Sequence, residues 1–249
     1  MHGLGVFRYY ADVIDSPGFS EYLERFEQYL RNGERPGLQA QMHMAPVGRM
    51  AEEYEPSPQF ARRSAVLIAL YNGAAEKPAA TRGSGTNEKL AAARGNGTNE
   101  KPAAARGNGT SEKPAAGEPR RLLPRFPAIV RARDGSPHSG QIGLPGGAVE
   151  PGESFPVGTA LRESTEEIGL NPDDVRVLGT LTPLYIPVSN FTVTPVVAAF
   201  TRGTRASLYP DMHEVEAVID LDVEQLRAGV SSGSFETQQG SMDAPCYVV

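Results

Sequence analysis

Glu163, Glu166 and Glu167 stand at i, i+3 and i+4 directly after Arg162. In a helix that spacing puts three carboxylates on one face. Like charges so close repel one another and weaken the helix unless cations lie between them or basic partners stand opposite. A hard divalent ion such as Mg2+ or Mn2+, which prefers carboxylate and water oxygens, would neutralise such a cluster. The same pattern also suits a solvated helix face without chemistry, since Glu is common on exposed helices. The flanking residues supply positioning. Gly169 suits the residue that ends a helix, and Pro145-Gly-Gly147 lets the preceding backbone turn tightly against it.

The wider context favours chemistry. Gly147, Glu153 and the run Arg162-Glu163-x-x-Glu166-Glu167-x-Gly169-Leu170 resemble the Nudix box, the signature of hydrolases that cleave nucleoside diphosphates linked to another moiety. The resemblance implies a loop-helix-loop in which Glu163 and Glu167 hold divalent metal, with Glu166 as a further ligand. It also implies that Arg162 and Glu153 pair to hold the loop against the helix. The reaction it implies is attack of a metal-activated water on a phosphorus of the pyrophosphate. The general base would be a carboxylate of the box or of a nearby loop.

Two departures from the commonest box narrow the resemblance. Eight residues, Ser154 to Leu161, separate Glu153 from Arg162 where seven are usual, and Ser164 stands where an aliphatic residue is usual. The coenzyme A diphosphatase subfamily shares both features, in segments like Thr159-Ala-Leu-Arg-Glu163. That subfamily's second motif resembles Gly140-Gln-Ile-Gly-Leu-Pro-Gly-Gly147, with Leu144 for an aromatic residue, and part of its basic half is present as Arg131 and Arg133. These two arginines, with Gly146 and Gly147, form the candidate substrate-binding set; for the arginines alone, basic residues on an edge strand are the competing reading. Gln39 to Arg49 is similar to a segment of bacterial members, and Leu184 to Val197 resembles the strand pair that follows their box. The implied activity is hydrolysis of coenzyme A or its derivatives to 3′,5′-ADP and 4′-phosphopantetheine. The alternatives are an ADP-ribose or nucleotide-sugar diphosphatase, or a truncated, non-catalytic Nudix domain that binds a nucleotide or a partner.

Several elements must position this stretch. Tyr22, Leu23, Phe26, Tyr29 and Leu30 form one apolar stripe and predict an amphipathic helix over Ser20 to Leu30. Strands are expected at 64–71, 126–130, 175–181, 192–200 and 214–219, and helices at 156–168 and 222–228. Without a regular βαβ rhythm this is an α/β sandwich; the resemblance makes it a Nudix-type α/β/α sandwich with a mixed sheet. The first two strands flank a repeat of period 12 that starts at Glu76. Its units offer Ala and a single Leu90, broken by Gly, Pro and Asn, so they lack the apolar face that a solenoid needs. The expected organisation is an N-terminal amphipathic segment over 1–36 and a Nudix domain over 37–249, with 74–119 a disordered insertion in the loop between two strands of one sheet.

Composition excludes other classes. The 249 residues carry a net charge of −6; the insertion holds seven Lys/Arg against five Asp/Glu, so the remainder is at −8. That balance disfavours nucleic-acid or membrane-surface binding and points to a small nucleotide substrate. Cys246 alone makes neither an internal disulfide nor a zinc site. No apolar run approaches a membrane span and no cleaved signal is recognisable, which predicts a cytoplasmic protein. A homodimer is left open. Family members continue past the strand that Ala244 to Val249 begins into a Trp-containing closing helix, which this chain is expected to lack.

Overall fold

A computed structural model of the chain describes residues 18–33, 60–73, 122–135, 139–187, 189–203, 205–228, 230–237 and 240–247. The repeat and the Gln39 to Arg49 segment lie outside the described residues.

The strands are β1 (Arg62–Asn72), β2 (Pro124–Arg131), β3 (Ile142–Gly143), β4 (Gly146–Ala148), β5 (Val175–Thr180), β6 (Leu184–Ile186), β7 (Phe191–Phe200), β8 (Val215–Asp222), β9 (Val230–Thr237) and β10 (Gly240–Tyr247). The helices are α1 (Phe19–Asn32), α2 (Val157–Ile168) and α3 (Val223–Ala228). β1 and β7 run parallel at the centre of a mixed sheet of eight strands, Arg62 opposite Phe191 through Leu70 opposite Ala199. On its other side β1 pairs near its start with β4 and at its end with β2. The last β1–β2 partners are Tyr71 with Arg125 and Asn72 with Pro124, so the strands that precede and follow the repeat in sequence are adjacent and antiparallel.

Alternation along the central strands creates two apolar faces. Ala65, Leu67, Ala69 and Tyr71 of β1, with Val196, Ala198 and Phe200 of β7, pack on Ala160 and Ile168 of α2. Leu70, Val197 and Ala199 face the other way, onto Tyr22, Leu23 and Leu30 of α1. The result is the expected α/β/α sandwich. Helix α1 carries the i, i+4 pairs Glu21–Arg25 and Glu27–Arg31, and Glu27 also accepts from Arg176 of β5 at 2.5 Å. That bond ties helix to sheet and holds the Glu27 carboxyl below its ordinary range.

Strand β6 opens the strand pair expected over Leu184 to Val197; the two- and three-residue strands β3 and β4 were not expected, because so short a run carries no period. Neither was the extent of the β9–β10 hairpin, which pairs Val230 with Tyr247 through Thr237 with Gly240; the strand expected from Ala244 is its second arm.

Candidate active site

Helix α2 ends where a left-handed residue is required. Gly169 has φ 64°, its N–H donates to the Thr165 carbonyl, and the Leu170 N–H donates to that of Ser164. Both bonds satisfy carbonyls that the helix end would leave open. The unusual Ser164 is fully buried, and its Oγ donates to the Ala160 carbonyl at 2.7 Å. A hydroxyl is therefore accommodated where an aliphatic group is usual, without an unpaired polar atom.

Arg162 is the hub of the loop-helix junction. Its Nε donates to Glu153 at 2.5 Å, Nη1 to Glu166 at 2.6 Å, and Nη2 to Glu163 at 2.8 Å and to the Ala148 carbonyl at 3.1 Å. Glu153 also accepts from the Glu150 N–H and from the Thr159 hydroxyl. The guanidinium first, then these two donors, hold its carboxyl down at about 2. The extra residue between Glu153 and Arg162 leaves their pair intact.

The three glutamates of the stripe meet different surroundings. Glu166 is 58% exposed and held by Arg162. Glu163 lies beneath the β4 turn, where a Cβ on Gly147 would strike its carboxylate, and burial raises its pKa. Glu167 is 2% exposed. Its Oε2 accepts from the Gly146 N–H at 2.8 Å, and its Oε1 faces Arg131 at 3.9 Å. Burial lifts its pKa to about 7 against the pull of that N–H and of Arg131, with the Glu163 and Glu214 charges adding to the rise. Gly146 has no room for a side chain, since a Cβ would meet the Ala65 carbonyl and Val66.

The structure thus brings together Glu163, Glu167, Gly146, Gly147 and Arg131. It holds Glu166 outward on Arg162, and it sends Arg133 to Glu216 at 3.1 Å, both groups exposed. Glu214 is the residue that sequence reasoning missed. Its loop is docked by the Asp211 N–H on the Glu167 carbonyl and by the Ala132 N–H on its own carbonyl, which brings its charge to bear on Glu163 and Glu167. No local motif marks it; its approach follows from the pairing of β8 with β2.

A divalent cation can be tested against this donor set. The groups are hard carboxylate oxygens, and Glu163 and Glu167 both have raised pKa values, first through burial and then through neighbouring negative charge, Glu166 and Glu214 for the one and Glu163 and Glu214 for the other. A cation among them would relieve that repulsion, so the residues fit. Among the described residues no three acidic, imidazole or thiol groups already stand in ligand geometry. Arg162 and Arg131 meanwhile provide the counter-charge.

Part of the chain is similar to known proteins. Residues 125–236 match the NUDIX domain family model, and the chain carries a Nudix domain. An uncharacterized Nudix hydrolase NudL of Pectobacterium atrosepticum is 39% identical over 107 residues, 43% of this chain and 52% of the relative. Nudix hydrolase 3 of Caenorhabditis elegans is 31% identical over 111 residues, 44% of this chain and 46% of that one. The human mitochondrial coenzyme A diphosphatase NUDT8 is 39% identical over 89 residues, 36% of this chain and 37% of that protein. The chain spans about half the length of the curated relatives it matches. Among the described residues no helix is long and apolar enough to cross a membrane.

Proposed function

We propose that this chain is a cation-dependent diphosphatase that splits coenzyme A or its derivatives into 3′,5′-ADP and 4′-phosphopantetheine. The observation that carries the hydrolytic reading is the buried Glu167, fixed by the Gly146 N–H beside Glu163 and within the field of Glu214. Glu163 and Glu167 would hold Mg2+ or Mn2+, with Glu166 joining only if it leaves Arg162. Bound there, the cation would supply charge neutralisation at the phosphoryl oxygens and acidify a water. The chain's own groups do the rest. The Gly146 N–H orients the Glu167 carboxylate, the missing side chain of Gly147 leaves space for Glu163, and Arg162 locks the loop to the helix through Glu153. Arg131 is the basic side chain that reaches Glu167 from β2, and it would meet the substrate phosphates.

The choice of coenzyme A rests on the spacing before Arg162, on Ser164, on the Gly140 to Gly147 segment and on the likeness to the human coenzyme A diphosphatase. One observation favours the second reading, ADP-ribose or a nucleotide sugar: Arg133 is engaged by Glu216, which leaves it unavailable to an additional 3′-phosphate. Chromatography after incubation of the full chain with Mg2+ or Mn2+ and coenzyme A, ADP-ribose or UDP-glucose separates the two. Release of 3′,5′-ADP is the expected result. Intact coenzyme A beside a cleaved ADP-ribose would reject the substrate, and no cleavage of any diphosphate would reject the enzyme.

A further inference from the structure

We propose that Arg131 is a displaceable counter-ion: a divalent cation entering beside Glu167 expels its guanidinium, which then engages the phosphates of the substrate. This rests on the cation-dependent reading above. The backbone of Arg131 is clamped, its N–H donating to the Gln141 carbonyl at 2.9 Å and its carbonyl accepting from Gly140 at 3.2 Å, while Val215 of β8 lies opposite across a register shift. Only the side chain is free to swing, and it is 40% exposed.

Its hold on Glu167 is of the kind that yields. Nη1 stands 3.9 Å from Oε1, too far for a hydrogen bond, whereas the Gly146 N–H holds Oε2 at 2.8 Å. Arg162 makes short, directed bonds to three carboxylates and stays in place. The two arginines therefore divide the work: Arg162 is scaffold, and Arg131 is a loose charge that occupies the electrostatic role of a cation. A divalent ion would repel it, and a guanidinium expelled next to a bound diphosphate has a fork of donors suited to phosphate oxygens. Cation loading and phosphate capture would then be one event.

The test is Mn2+ binding to the full chain, read by the paramagnetic resonance of free Mn2+. Arg131→Gln should bind Mn2+ roughly tenfold more tightly than wild type, the order expected for a single and a double charge a few ångströms apart in an aqueous dielectric. Arg133→Gln removes the same charge two residues on, from a side chain 77% exposed on Glu216, and should leave Mn2+ affinity unchanged. With Mn2+ saturating, methylenediphosphonate should bind Arg131→Gln about tenfold more weakly than wild type; without Mn2+ the two should not differ. In wild type itself, Mg2+ should shift the Arg131 Nε–H resonance and leave that of Arg162 in place, a readout independent of how the variant folds. Equal or weaker Mn2+ binding by folded Arg131→Gln, equal tightening by Arg133→Gln, or an unmoved Arg131 resonance would overturn the inference while sparing the cation-dependent reading. Absence of Mn2+ binding to wild type would overturn both.

Discussion

Replacing Glu167 by Gln isolates the electrostatic load of the site. Burial lifts this carboxyl from 4.5 to about 7, which corresponds to about 3 kcal/mol in favour of its protonated form. Below pH 4.5 the group is protonated in the folded and the unfolded chain and contributes no difference. Between 4.5 and about 7 the unfolded chain releases the proton while the folded chain retains it, so stability falls as pH rises. Above about 7 both are ionised and the loss is constant. Glu167→Gln removes this slope, and its amide oxygen can still accept from the Gly146 N–H. Urea unfolding in a chelator, followed by far-ultraviolet circular dichroism, should therefore show the variant gaining on wild type by up to about 3 kcal/mol between pH 4.5 and 7.5. At pH 7.5, added Mg2+ should stabilise wild type by mass action and leave the variant nearly unmoved. A stability difference that stays the same from pH 4.5 to 7.5 would refute the burial argument. Equal stabilisation of both chains by Mg2+ would refute Glu167 as a cation ligand.

Other perturbations separate scaffold from chemistry. Glu153→Gln removes the anchor that Arg162, the Glu150 N–H and the Thr159 hydroxyl share; it should lower the thermal midpoint and turnover together, and an unchanged midpoint would show that the loop is held by other contacts. Gly147→Ala should leave the circular dichroism spectrum intact while cutting turnover and Mn2+ affinity at least tenfold, because the new methyl meets the Glu163 carboxylate; Gly146→Ala, crowding the β1 backbone, should instead lower the yield of folded protein. Deleting residues 74–119 should leave coenzyme A turnover nearly unchanged, since β1 and β2 are already paired where the segment leaves and returns; a large loss would mean that the repeat contacts substrate or supports the sheet.

The box helix was legible because its limits and its purpose are local. Period, glycine stop and the Glu153–Arg162 pair all lie within a few turns, and the helix runs from Val157 to Ile168 against an expected 156–168. What the stripe could not reveal is the difference between three like glutamates. Their fates depend on how the helix is rotated on the sheet, which is set by Ala160 and Ile168 packing on β1 and β7. Glu214 and Arg131 were harder still. Glu214 carries no motif and is brought in by a strand register, Arg131 opposite Val215, that joins residues far apart in the chain, while Glu167, the partner of Arg131, lies on helix α2 and not on a paired strand. The local motif accordingly supplies the acidic groups, and long-range pairing supplies the charges that tune them. On the proposed reading, two chains with the same box would differ in cation affinity and phosphate preference through residues such as Arg131 and Glu214, whose surroundings are set by long-range packing.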